Sequence, residues 1–194
     1  MILSDREIRL AVERGLITLT PCPPKGNRLW SPTTLDLTLD AELRVWKPLE
    51  SPTGNDVVDP IGPGFNSTKL VNEHTTPVDC TSGFILEPKQ FVLGWTTERL
   101  RLPPEARIGA SVEGKSGLAR IGIGIHVTAP TIHSGFGAIP SGSPIRLEIW
   151  NIGTLRVRLT KGMPICQLIL EEVHGVPETE NTGQFRIQGP SVTS

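Results

Sequence analysis

One stretch concentrates groups able to do chemistry: Glu113-Gly-Lys-Ser-Gly-Leu-Ala-Arg-Ile-Gly122. It carries two cations, Lys115 and Arg120, with the Ser116 hydroxyl between them. A β-rich run then leads through His126 and Ala129 to the carboxylate of Glu148. A carboxylate embedded in an apolar strand, here Ile145 to Ile149, is suited to shuttling a proton near neutral pH. Nearby cations and a hydroxyl can balance charge as it develops. The bland readings make Glu148 a surface residue at a strand edge and Ser116 and Arg120 ordinary turn residues.

The same stretch contains Gly109-Ala-Ser-Val-Glu-Gly114-Lys115-Ser116, which fits the phosphate-loop pattern G-x-x-x-x-G-K-[ST] letter for letter. That pattern works between a strand and a helix, where loop N–H groups and the helix N-terminus face the phosphates. Leu118 to Thr128 instead hold two glycines and several β-branched residues, which weaken a helix and suit strands. The spacing therefore predicts a β scaffold rather than an NTPase loop.

The elements that position these groups can be followed along the chain. Ser4 and Glu7 form a capping box, Ile8, Ala11 and Val12 an apolar stripe, and Gly15 a stop, so a packing helix is expected over residues 4–15 within a helical region at 1–20. Leu35-Asp-Leu-Thr-Leu39 alternates as a half-buried strand does. Residues 51–82, rich in Pro, Gly, Asn and Thr, read as a loop excursion. Strand signals return at Phe84–Leu86, Phe91–Leu93, Leu100–Leu102, Ile145–Ile149, Leu155–Leu159 and Ile165–Val173. The polar segment 175–194 reads as a flexible tail. Short strands at this spacing predict one mainly β domain spanning 1–194.

Twenty glycines, eighteen prolines and no tyrosine suit tight turns between such strands. A formal net charge of −1 argues against a broad nucleic-acid-binding face, so an anionic ligand must be gripped locally. No run is apolar enough to span a membrane. Cys22, Cys80 and Cys166 are scattered, with no C-x-x-C pair and no signal-like segment ahead of them, which leads us to expect a reducing cytoplasm. The H-x-E and C-x-x-C elements of a zinc deaminase are missing, and His74, His126 and His174 show no metal-ligand spacing with any cysteine. No G-x-S-x-G elbow is present.

Taken in order, the opening Met1-Ile-Leu-Ser-Asp-Arg, then Ser31-Pro-Thr-Thr-Leu-Asp-Leu, the Glu113–Gly122 stretch, His126-Val-Thr-Ala, Ile132-His-Ser-Gly-Phe, Leu147-Glu-Ile-Trp-Asn and Gly162-Met-Pro-Ile-Cys-Gln-Leu resemble the dCTP deaminase branch of the dCTP deaminase/dUTPase superfamily. The resemblance covers nearly the whole chain. It implies a distorted β-barrel of the dUTPase-like type and a homotrimer with active sites between subunits. The reaction implied is hydrolytic deamination of dCTP to dUTP and ammonia, with no metal at the base and Mg2+ carried on the triphosphate. Glu148 would be the general base, with Ser116 and Arg120 beside the base and the attacked water. Lys115 would contact phosphate, and Gly117 would belong to the substrate-binding set. Backbone groups around Val127 and Ala129 would read the cytosine edge, and Leu147 and His133 would border the substrate. Gln167, with Phe185, Arg186 and Gln188 of the tail, would close over the triphosphate.

Three departures from the family pattern bear on function. His133 stands where the family has the aspartate that positions water in dUTPases, which weighs against hydrolysis of dUTP. Gly137–Pro144 lengthens a loop beside the site. Gly117 replaces a Ser or Thr and leans towards dUTPases. The alternatives that follow are a dUTPase or bifunctional deaminase and diphosphatase, and a relative that binds nucleotides without turning them over.

Overall fold

The computed structural model describes residues 1–48, 57–126, 128–175, 177–179, 181–182 and 187–189. Helix α1 (Asp5–Glu13) starts where the Ser4 hydroxyl accepts the Glu7 N–H at 3.3 Å, which satisfies one of the donors left open at a helix start. Just beyond it Gly15 takes φ +69°, the left-handed conformation that glycine adopts without steric cost. Ile8 and Ala11 are buried, so α1 is a packing helix.

Strands β1 (Thr18–Thr20), β2 (Leu35–Thr38) and β3 (Glu42–Trp46) follow, then α2 (Ser67–His74), β4 (Thr75–Asp79), β5 (Phe84–Leu86) and β6 (Phe91–Arg101). After them come β7 (Ile108–Gly114), the single turn α3 (Ser116–Ala119), β8 (Ile123–Ile125), β9 (Thr131–Ile132), β10 (Ser143–Asn151), β11 (Val157–Leu159) and β12 (Pro164–Glu172). Two expectations change here. The 51–82 excursion holds a helix and a strand between residues 67 and 79, because Asn66 caps α2 by accepting the Lys69 N–H at 2.9 Å and β4 finds a partner in β3. The residues after Lys115 begin with a helical turn before the glycines at 122 and 124 return the chain to strand.

One sheet runs β4-β3-β6-β10-β8, with β1 on the far part of β6. A second runs β2-β12-β7-β9, and β5 pairs with β11. Among the described residues every strand pairing is antiparallel. The two larger sheets share one core, in which Leu35, Leu37, Val112 and Leu168 join Val92, Leu100, Leu147 and Ile149. The result is a mainly β fold of the expected distorted kind, whose sheets are not joined into a closed ring.

Register matters most between β10 and β6. Pro144 faces Arg99 but Arg146 faces Trp95, so Ile145 alone lies opposite Thr96, Thr97 and Glu98. The Thr96 hydroxyl accepts the Ile145 N–H at 2.9 Å and donates to the Glu98 carbonyl at 2.7 Å, which holds the irregularity in place. Bulges of this kind re-aim side chains next to active sites. Beyond it, Arg146, Glu148 and Trp150 share one face of β10, and Leu147 and Ile149 enter the core on the other.

Candidate active site

The face of β10 that carries Glu148 opens on a cavity of about 470 Å³. Its apolar wall comes from Trp46, Phe91, Leu93, Ile132, Phe136 and Ile145, and α2 contributes Ser67 and Val71. The polar groups are His126, His133, Arg146, Glu148, Asn181 and Gln188. Mostly apolar walls with a few convergent polar groups are the usual make-up of a small-molecule site. Trp46, Phe91 and Trp150 buttress the wall through ring contacts at 6.4 and 6.2 Å.

Glu148 belongs to an interior strand, with Leu93 of β6 as its cross-strand partner and β8 on the other side. The next link is made by His126, just past the end of β8. Its N–H donates to the Glu148 carbonyl at 3.0 Å, and its backbone takes φ +53°. A histidine in the left-handed region is uncommon and worth a functional question. Its Nδ1 lies 2.8 Å from Glu148 Oε2. That contact lacks the direction of a hydrogen bond, and both atoms are shielded from solvent. Two buried polar atoms without a hydrogen-bond partner at a cavity can each engage a ligand there.

Two residues earlier, Arg146 lays its guanidinium over the Trp95 ring, 4.3 Å from its centroid. Burial pushes its pKa down, and the charge of Arg44 acts in the same direction. The Arg146 N–H donates to Gln188 Oε1 at 2.7 Å. The Gln188 N–H donates to Ser143 Oγ at 2.8 Å, and Ser143 Oγ donates back to the Gln188 carbonyl at 3.1 Å. Three hydrogen bonds thus fasten a short piece of the tail to the start of β10, at the cavity margin.

A second polar cluster lies on the other sheet. Lys115, at the end of β7, forms an ion pair with Asp36 of β2. Gln167 of β12 donates to Asp36 Oδ1 at 3.3 Å and to Thr34 Oγ1 at 3.2 Å. The register Gln167↔Asp36 and Cys166↔Gly114 brings these side chains together. Desolvation pushes the neighbouring Cys166 thiol pKa far up, with Glu98 and Asp36 adding to it, which disfavours the thiolate. Among the described residues, no group of three or more His, Cys, Asp or Glu side chains is placed to hold a metal ion.

The family model described as dCTP deaminase-like matches residues 2–173, nearly all of this architecture. The chain belongs to that family. A Thermobifida fusca relative named "dCTP deaminase, dUMP-forming" is 37% identical over 179 residues, which is 92% of this chain and 81% of the relative. A Methanothermobacter thermautotrophicus relative of the same name is 34% identical over 170 residues, covering 88% and 78%. The crystal structure of 2'-deoxycytidine 5'-triphosphate deaminase from Agrobacterium tumefaciens superposes with a TM-score of 0.64 at 23% identity. It covers 89% of this chain and 48% of that one, so this chain spans about half its length, and the likeness bears on the fold.

Within this dCTP deaminase-like domain the residues singled out from sequence separate into groups. Glu148, Ala129, His133 and Gln188 meet at the cavity. Lys115 and Gln167 meet around Asp36 instead, so the cation expected to face phosphate already has a carboxylate partner. Ser116, Gly117 and Arg120 sit exposed on and after α3 and do not line the Glu148 cavity within one chain. Leu147 does not border the cavity, because strand alternation turns its side chain fully into the core. Val127, Phe185 and Arg186 fall outside the described residues.

Sequence reasoning passed over His126 as a side chain, Arg146, Trp46 and Asp36. The two-residue period of β10 was enough to find Arg146, since it shares a face with Glu148. Asp36 also departs from expectation: alternation placed it on a wet face, but it is 8% exposed because Lys115 and Gln167 cover it. Nothing local to residue 46 signals that it walls a site built around residue 148.

Proposed function

We propose that this chain is a dCTP deaminase, replacing the 4-amino group of cytosine by oxygen. The observation that carries the reading is Glu148 at an apolar cavity with its carboxylate 2.8 Å from His126 Nδ1. Glu148 takes a proton from water as the water oxygen bonds to C4. The tetrahedral centre then collapses, the C4–N bond breaks, and Glu148 passes the proton to the departing nitrogen. The balance is dCTP and water to dUTP and ammonia. The names of the relatives support the substrate class. Mg2+ would ride on phosphate oxygens, a role that asks no metal-binding cluster of the protein.

Ser116, Gly117 and Arg120 complete this reading only if they come from a neighbouring subunit, since in one chain they lie outside the Glu148 cavity. A homotrimer with sites between subunits supplies that arrangement, and there Arg120 and Ser116 orient water and balance charge. Lys115 would reach a phosphate by exchanging or sharing its bond to Asp36.

The dUMP that the names of the relatives give as product favours a second reading in which the dUTP formed also loses pyrophosphate. His133 weighs against it, because imidazole is not a permanent anion able to hold a hydrolytic water. Assaying ammonia and pyrophosphate separately, with dCTP and dUTP as substrates and Mg2+ present, tests both. Ammonia without pyrophosphate gives the first reading, and both products from dCTP give the second. Ammonia from no cytosine nucleotide refutes deamination and leaves a binding protein.

A further inference from the structure

Arg146 has no part in the chemistry assigned to Glu148, yet its placement is specific. It shares the face of β10 that carries Glu148, one strand repeat away, roughly 7 Å along the chain. The register slip at Ile145 sets that phase, and the Gln188 side chain fixes the Arg146 backbone at 2.7 Å. The Trp95 ring underneath supports the guanidinium at 4.3 Å.

The guanidinium presents five donors and accepts nothing. Among the described residues none of these donors has a hydrogen-bond acceptor or an ion-pair partner. Glu42, the other carboxylate near it, is already engaged by Arg44 at 3.3 Å. A half-buried cation at a cavity whose donors have no protein acceptor is open to one from a ligand, and burial lowers its pKa although Glu148 and Glu42 act against this. The planar fork suits phosphate in particular, where two parallel N–H···O bonds form at once.

We infer that Arg146 is the anion-recognising group of the Glu148 cavity, receiving a phosphate carried on the sugar of the nucleotide whose base Glu148 handles. This rests on the deaminase reading for the orientation of the ligand, with the base towards Glu148. It assigns a phosphate contact in the same chain as the general base, separate from the Lys115 and Asp36 cluster. Asn181 and Gln188 lie at the same cavity, so the described part of the tail borders the place where that phosphate would sit.

The test uses the full-length protein and four ligands: deoxycytidine, its 5'-monophosphate, its 3'-monophosphate and dCTP. Affinity is read by calorimetry and by tryptophan fluorescence, and turnover as ammonia. The expected result is that Arg146→Met reduces the preference for phosphorylated over unphosphorylated ligand by about 10- to 100-fold, in the range of a lost charge-assisted hydrogen bond. Arg146→Lys should recover part of it as a point charge. The 5'- and 3'-monophosphates show which sugar position carries the phosphate, by which of them loses more. A phosphate-dependent fluorescence change should disappear in Arg146→Met, since Trp95 lies against the guanidinium.

An unchanged preference in Arg146→Met overturns the inference. If that variant does not fold, Arg146→Lys carries the test: an altered KM for phosphorylated ligand at unchanged kcat supports the inference, and wild-type values refute it. Absence of ammonia from the wild type would remove the deaminase reading alone, because the calorimetric preference still decides the role of Arg146.

Discussion

Replacing Glu148 by glutamine tests the proposed chemistry with little change of shape. The amide is nearly isosteric, the strand keeps its Leu93 pairing, and the backbone bond from His126 is untouched. What is lost is the capacity to hold a proton. General-base catalysis typically contributes 10²- to 10⁴-fold, which at 1.36 kcal/mol per decade is about 2.7–5.4 kcal/mol of barrier. Among the described residues lining the cavity Glu148 supplies the only carboxylate, and the imidazoles there are those of His126 and His133. Neither is an anion held in place for this role, and we expect a loss of roughly 10³-fold in kcat. The assay is ammonia release from dCTP, with a thermal melt in parallel. A Tm within about 2 °C of wild type corresponds to roughly 1 kcal/mol or less for a chain of this size. Activity within tenfold of wild type would refute the assignment of the base. Loss of activity together with a collapsed melt would reassign Glu148 to the fold.

Three further outcomes follow from named contacts. Lys115→Met leaves Asp36, 8% exposed, without its cation, and should cost roughly 1–3 kcal/mol in urea unfolding. Adding Asp36→Asn should return part of this, and strictly additive effects would mean that the pair is not coupled. Gly137→Ala places a Cβ 2.1 Å from the Leu100 carbonyl oxygen at φ +69°, a clash with backbone that no rotamer relieves. It should destabilise by at least about 2 kcal/mol, and a melt within 1 °C of wild type would contradict it. Glu98 is 3% exposed and accepts the Thr38 N–H and hydroxyl, both at 2.8 Å, yet desolvation outweighs these bonds and raises its carboxyl pKa. Its contribution to stability is full below the ordinary glutamate pKa of about 4.3 and is lost as pH rises through the folded value. Unfolding free energy should therefore decline from about pH 4 upwards, and Glu98→Gln should flatten that decline; an unchanged slope would refute the role of Glu98.

Local chemistry explains what was legible in the sequence. The Ser4 cap, the apolar stripe of α1 and the Gly15 stop act within one helix, and each is found in place. The strands of β10 and β12 declare themselves through apolar spacing, and Glu148 stands out as a carboxylate inside such a run. What stayed hidden depends on pairing between distant segments. The burial of Asp36 needs β12 and β7 to bring Gln167 and Lys115 to it, and the re-aiming of Arg146 needs three residues of β6 opposite one of β10. Helix α2 emerged from a stretch poor in apolar residues because an asparagine cap and a neighbouring strand sufficed to hold it.

The four-stranded sheet has a consequence for how the protein comes into being. Its strand β2 pairs with β12, Leu35 opposite Leu168, and Ile2 bridges to Glu171. A nascent chain emerging at roughly 5–20 residues per second cannot complete this sheet until β12 has left the ribosome. Early segments must wait, exposing strand edges that only late segments cover, and such non-local closure folds slowly. Closure of the four-stranded sheet, and of the core that it shares with the larger sheet, therefore comes late in the synthesis of these segments.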